Sequence, residues 1–374
     1  MFTKWRALAA ALLMALAFAQ QVSVAEAAAT PAPGAASGTE DAKVEAVLQG
    51  MTLEQKVGQL ILATRPSGVD ASVSAVKKYF LGGYVLYGTH FKDSTPEKIR
   101  AGIEKCQQAS PVPMLVAVDE EGGTVTRVSS YKAFRKTRFP SPMNVYKSGG
   151  MDAIRKDAQE KAELLTSLGI NLNLAPVADV PVSSKDFIYS RSMGTDPALT
   201  SEFVKTVVEE SSARGLGLAL KHFPGYGNNR DTHSGVVVDE RPIETFRSRD
   251  FLPFIAGVAG GVGSIMVSHN IVKCMDPDKP ASLSPAVHQE LRDLGFDGVI
   301  MTDGLRMRAI TREYSAAEAA VLSVQAGNDM LMLNDYAAGI KALMQAVKDG
   351  TITEKRVDES VRRILKWKEQ LGLL

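Results

Sequence analysis

Asp231 and His233 lie two residues apart in KHFPGYGNNRDTHSG, residues 221–235, where Pro224, Gly225 and Gly227 stop any regular element from continuing. In an extended loop, side chains two apart point to the same side. A carboxylate can then bond one ring nitrogen of the imidazole and fix its tautomer, leaving the other nitrogen to give or take a proton near neutral pH. Three readings stand at this point: a mobile catalytic loop, a metal site made of His222, Asp231 and His233, or a polar surface turn. The three ligand candidates lack the helical spacing of a zinc-protease signature.

Three further segments carry candidate chemistry. FDGVIMTDGLRMRAI, residues 296–310, runs an apolar stretch straight into Asp303, which could act as nucleophile, helix N-cap or metal ligand, and its position favours the first. VAVDEEGGTVTRV, residues 116–128, ends another apolar stretch at Asp119 and turns through two glycines toward Arg127. Such a pair could grip neighbouring sugar hydroxyls, one group accepting and one donating, or could form a salt bridge at the rim; spacing does not choose. Arg191, in IYSRSMGTDP, sits among small residues before a turn and by itself reads as a solvated arginine.

These residues need elements to position them. Eight short apolar runs recur along the chain, each followed by a polar residue, a loop and an amphipathic stretch: residues 59–64, 83–87, 114–119, 171–179, 217–223, 264–269, 298–303 and 329–334. Near-continuous apolar strands separated by helices indicate a parallel sheet buried on both faces. Eight of them predict a single-domain (β/α)8 TIM-type barrel, in which chemistry gathers at the carboxyl ends of the strands. Those ends carry Asp119, Asp179, Lys221, His222, Ser268, His269, Asp303 and Asn334. A doubly wound sheet would need a phosphate turn after an early strand, and neither LGGY nor AGGVG has the dinucleotide spacing. Met301, Met307 and the methionines of DMLML read as barrel packing, and Trp367 as core. MDAIRKDAQEKAELLTSLG reads as a helix stopped at Gly169.

At the N-terminus, Lys4 and Arg6 precede an apolar run from Ala7 to Ala19, and small residues follow at Ala25 and Ala27. This pattern predicts a secretory signal peptide over residues 1–27, then an Ala/Pro/Gly-rich linker over 28–41 and the barrel over 42–374. No later run is long enough for a membrane helix, so no span is expected in the mature protein. The chain carries a formal charge of +1, and removal of Lys4, Arg6 and Glu26 with the signal would leave it neutral. A neutral chain without basic runs excludes nucleic acid as an expected partner. Cys106 and Cys274 are too few for a disulfide scaffold; one bridge or two unpaired buried thiols both fit.

Taken in order, KHFPG-x-G followed by Asp-x-His, DEEGG with Arg127, RSMGTDP, PASLSP, GFDGVIMTD and RVDESVRRILKWK resemble glycoside hydrolase family 3 over residues 42–374, specifically its single-domain β-N-acetylglucosaminidase branch. The resemblance implies a retaining exo-acting enzyme that removes N-acetylglucosamine from peptidoglycan fragments or chitin oligosaccharides. It implies Asp303 as nucleophile and His233, oriented by Asp231, as general acid/base. It also implies that Asp119, Arg127, Arg191, Lys221 and His222 bind the nonreducing sugar, with His269 a hydrogen-bonded wall residue. No metal or cofactor is implied, and an exported, periplasmic or extracellular monomer is expected. Glu120 and Thr124 depart from the family's DQEGGR, Tyr226 from its PGHG, and Gly304 and Arg306 from the residues that follow the nucleophile in many relatives. Two alternatives accompany this reading. An imidazole acid/base does not repel phosphate, which leaves a family 3 phosphorylase open, and an inactive barrel could bind sugar without turnover.

Overall fold

Each apolar run becomes a strand because both of its faces find a partner. We label them β1 (Ile61–Thr64), β2 (Gly83–Leu86), β3 (Leu115–Val118), β4 (Leu172–Asn173), β5 (Gly217–Phe223), β6 (Ser264–Val267), β7 (Val299–Thr302) and β8 (Leu331–Leu333). In this computed structural model, which describes residues 34–374 and their side chains from residue 42, the strands pair in parallel in the order β8-β1-β2-β3-β4-β5-β6-β7. A parallel bridge between Met301 and Met330, with Thr302 N–H donating to Met330 O at 3.0 Å, joins β7 to β8 and closes the ring. The fold is the expected (β/α)8 barrel, and Glu40–Leu374 is one compact unit.

Alternation along each strand divides the core in two. Leu62, Val85, Leu115, Ala117 and Val299 point into the barrel with Met266, Met301, Met330 and Met332. Their neighbours Ile61, Leu86, Val116, Ile265 and Leu333 pack outward against the helices. The C-terminal helix Glu354–Gln370 starts at Thr353, whose hydroxyl caps Arg356 N–H, and sends Ile364 and Trp367 into the inner cluster. Trp367 is therefore core, 4% exposed.

Four expectations meet corrections or limits. The run 171–179 is a strand only over Leu172–Asn173, because Pro176 has no N–H for the ladder; pairing resumes where Val177 bridges Lys221 and Ala178 N–H donates to Lys221 O at 2.7 Å. The helix expected over MDAIRKDAQEKAELLTS is part of Pro142–Ser167, which breaks at Gly149 and Gly150. The two thiols do not pair: Cys106 is buried, whereas Cys274 is exposed rather than core. The expected signal peptide and the first part of the linker lie outside the described residues, and the helix Gly34–Gln49 occupies the rest of that linker. Among the described residues no helix is long and apolar enough to cross a membrane.

Candidate active site

The carboxyl ends of the strands enclose a cleft of about 510 Å³, within the usual size of a small-molecule site. Its deep wall comes from β3 and β5. Against β6, Lys221 pairs with Met266 and Phe223 with Val267, so His222 is an extra residue in the ladder. This bulge breaks the alternation that would send neighbours to opposite faces, and both Lys221 and His222 line the cleft.

Each of these two side chains is held by carboxylates. Lys221 Nζ lies 2.7 Å from Asp119 Oδ1 and 2.6 Å from Glu121 Oε1. Arg191 completes the cluster, donating from Nε to Glu121 Oε2 at 2.9 Å and from a terminal nitrogen to Oε1 at 2.7 Å. Burial would raise the Glu121 carboxyl, but Lys221 and Arg191 overcome it and hold it at about 2. Burial would likewise lower the Lys221 ammonium, and Asp119 and Glu121 raise it instead. Glu121, Lys221 and Arg191 are thus charged at neutral pH, which a buried polar wall tolerates only because they are paired. His222 Nδ1 sits 2.7 Å from Asp179 Oδ2, while the backbone N–H groups of His222 and Tyr226 also donate to that carboxylate. Asp179 therefore fixes the tautomer, and His222 Nε2 faces an Arg191 terminal nitrogen at 3.5 Å.

Asp303 follows β7 directly, its N–H donating to Val267 O at 3.0 Å. Gly304 N–H donates to Oδ1 at 2.6 Å, and among the described residues Oδ2 has no donor. Burial would raise this carboxyl, yet the nearby imidazoles of His269 and His222, the Gly304 N–H and Lys221 bring it below the ordinary carboxylate range. His269 is fully buried, bonded to Ser282 Oγ at 2.7 Å and donating to Gly304 O at 3.1 Å, so it supports the turn behind Asp303. Burial also lowers its basicity.

The loop after β5 brings His233 to the cleft's mouth. Its Nδ1 lies 2.7 Å from Asp231 Oδ1, and the same oxygen accepts the His233 backbone N–H at 2.9 Å. The imidazole is 65% exposed. In contrast the base of the loop is fixed. The Tyr226 ring packs edge-on against His222, and its hydroxyl meets Thr232 Oγ1 at 2.6 Å. Arg241 bridges Asp239 and Asp250 and donates to Gly225 O at 2.8 Å. Gly225 and Gly227 have φ of +122° and +53°, and added Cβ atoms would stand 2.8 Å from Asp250 Oδ1 and 2.1 Å from an Arg241 terminal nitrogen. These glycines serve close approach to that ion pair as well as backbone freedom.

Asp119, Arg127, Arg191, Lys221, His222, His233 and Asp303 line one cleft, and Asp231 stands behind His233. The Asp119–Arg127 pair does not form: Asp119 takes Lys221, and among the described residues the Arg127 guanidinium bonds only Thr126 O, at 3.4 Å. Ser268 and Asn334 do not line the cleft, and Asn334 is exposed. Tyr226 is a buried support rather than a contact of the cleft. Among the described residues no group of His, Cys, Asp and Glu is arranged to hold a metal, so His222, Asp231 and His233 are not gathered as ligands. Sequence reasoning did not single out Glu121, whose position inside DEEGG was the available signal, nor the cleft-lining Tyr87 and Tyr131.

The model of the "Glycosyl hydrolase family 3 N terminal domain" matches residues 52–367. The chain belongs to glycosyl hydrolase family 3. This family 3 chain is 30% identical over 325 residues to the β-hexosaminidase LpqI of Mycobacterium tuberculosis, which covers 83% of this chain and 81% of that protein. A β-hexosaminidase of Xanthomonas campestris pv. campestris is 31% identical over 258 residues, covering 68% of this chain and 77% of that protein. Among solved structures, the family 3 β-N-acetylglucosaminidase of Paenibacillus sp. str. FPU-7 superposes with a TM-score of 0.81 at 31% identity. That match covers 87% of this chain but 63% of the Paenibacillus chain, so the family 3 barrel described here spans under two thirds of it. The protein is a glycoside hydrolase with β-hexosaminidase relatives.

Proposed function

We infer that the protein is a retaining, exo-acting β-N-acetylglucosaminidase that releases terminal β-linked N-acetylglucosamine from peptidoglycan fragments or chitin oligosaccharides. The observation that carries this reading is the sharing of one cleft by an ionised Asp303 and a carboxylate-oriented His233. Asp303 attacks the anomeric carbon through Oδ2 while His233 gives its Nε2 proton to the departing glycosidic oxygen. The result is a glycosyl ester on Asp303. In the second step His233 takes a proton from water, the water oxygen bonds to the anomeric carbon, and the ester bond breaks, so configuration is retained. Asp119, Lys221, Arg191, His222 and Arg127 hold the sugar's hydroxyls, and Glu121 keeps Lys221 and Arg191 in place. Lys4, Arg6 and the apolar run after them support export to the periplasm or beyond.

An aryl β-N-acetylglucosaminide tests the assignment. Asp303→Asn and His233→Ala should each lower kcat by at least about a hundredfold, and full activity in either would remove the residue from its role. The phosphorylase alternative is separated by adding phosphate: sugar 1-phosphate among the products would replace hydrolysis as the reaction.

A further inference from the structure

Three carboxylates, Asp119, Glu121 and Asp303, and four permanent cations, Arg127, Arg191, Lys221 and Arg306, line the cleft. Asp119 and Glu121 are taken up by Lys221 and Arg191. Arg306 has no carboxylate partner among the described residues, so the mouth of the cleft keeps a net positive charge.

Arg306 is held there by its neighbours. Leu305 and Met307 on either side are buried, at 3% and 5% exposure. Leu305 N–H donates to Met332 O at 3.1 Å and Met307 N–H to Gly304 O at 2.9 Å, so the turn is pinned on both flanks and Arg306 is left exposed between them. Its guanidinium lies over the Tyr87 ring, 5.3 Å from the centroid. A cation stacked on an aromatic face keeps its planar edge free for a second partner, and a carboxylate matches that fork with two parallel hydrogen bonds.

Depth places this group relative to the reaction. Lys221, His222 and Glu121 are buried at the sugar-holding end, whereas His233 and Arg306 are exposed at the mouth. In an exo-acting site the leaving group occupies the mouth, beside the acid that protonates it. We propose that Arg306, stacked on Tyr87, is a specificity-determining residue that binds a carboxylate carried by the leaving sugar. This rests on the glycosidase reading above and narrows it to an anionic leaving group.

The test uses three β-N-acetylglucosaminyl disaccharides: one with a neutral N-acetylglucosamine leaving sugar, one whose leaving sugar carries a lactyl ether carboxylate, and the methyl ester of the latter. Wild type should prefer the free acid to its ester, and the preference should shrink at high salt. Arg306→Ala should lose about five- to tenfold in kcat/KM on the acid alone, and Arg306→Glu more. An equal effect on all three substrates, or no effect on any, overturns the proposal while the turnover of the neutral disaccharide still upholds the glycosidase. Absence of N-acetylglucosamine release from all three would instead overturn the glycosidase reading, and this one with it.

Discussion

Glu121 grips Arg191 with both carboxylate oxygens, at 2.9 and 2.7 Å, while the same carboxylate takes Lys221 Nζ at 2.6 Å. One buried anion thus holds together two cations that would otherwise repel at the back of the cleft. Glu121→Gln should cost about 3–5 kcal/mol, the usual result of leaving buried charges unpaired, and should raise KM. The carboxyl is held at about 2 when folded, against an ordinary 4.5. Its stabilisation is complete above pH 4.5 and is lost as pH falls from there toward 2. Urea unfolding of both proteins from pH 7 down to pH 3 should show the gap closing on the acid side; a gap that is constant with pH would contradict the pairing.

Asp231 bonds Nδ1 of His233, which leaves Nε2 for the proton transfer proposed above. Asp231→Asn should lower kcat by about ten- to a hundredfold on substrates with poor, alkyl leaving groups, which need the proton. The loss should be much smaller for a nitrophenyl leaving group. Because the loop tip is exposed, thermal unfolding should hardly change, so a large drop in Tm would point to a structural role.

Gly227 lies against Arg241, where a Cβ would meet a guanidinium nitrogen at 2.1 Å. Gly227→Ala adds left-handed backbone strain of about 1–2 kcal/mol to that clash. Both this variant and Arg241→Ala should reduce kcat about tenfold or more through a displaced His233, as 1 Å errors in position do. KM should change less, since Lys221 and His222 are held by β5 and Asp179. A rise in KM at unchanged kcat would show that the loop's base matters for sugar binding instead.

Lys368 lies far from this chemistry, fully buried on the C-terminal helix with Gln59 Oε1 at 2.6 Å as its partner. Burial pushes its ammonium down to about 7 from 10.5. Between those two values the unfolded chain carries a proton here that the folded chain has lost, so stability rises with pH across that window, and below pH 7 the whole cost of burial remains. Lys368→Met should therefore raise Tm most at pH 6, with the gain shrinking toward pH 10. An equal gain at both pH values would mean that burial does not lower the Lys368 ammonium relative to the unfolded chain.

The barrel was legible because its strands are continuous apolar runs: β5 matches the expected residues 217–223, and the other seven lie inside their expected runs. Periodicity cannot report where a ladder loses a donor, which is why the run around Pro176 was read too long. Asp303 was singled out by its place at a strand end, and Asp231 and His233 by their spacing in a glycine-rich loop; the structure brings Asp303 and His233 to one cleft. Glu121 was not singled out, because a glutamate beside a glycine turn has no periodic signature; its role comes from Lys221 and Arg191, which lie 100 and 70 residues further along the chain. Partner choice was equally hidden: Asp119 is 8 residues from Arg127 in sequence, yet the bulge in β5 delivers Lys221 to it first.

The exposure of His233 has a practical consequence. The chain has five histidines. His222, His269 and His288 are buried, and His90 has both ring nitrogens engaged, Nδ1 accepting the Tyr87 backbone N–H and Nε2 donating to Arg65 O. His233 stands 65% in solvent. An acylating reagent such as diethyl pyrocarbonate should therefore label one imidazole long before the others, and the loss of turnover should follow that single adduct in proportion. A sugar seated in the cleft would cover the target, so the protection it gives would measure occupancy of the site without any chemistry taking place.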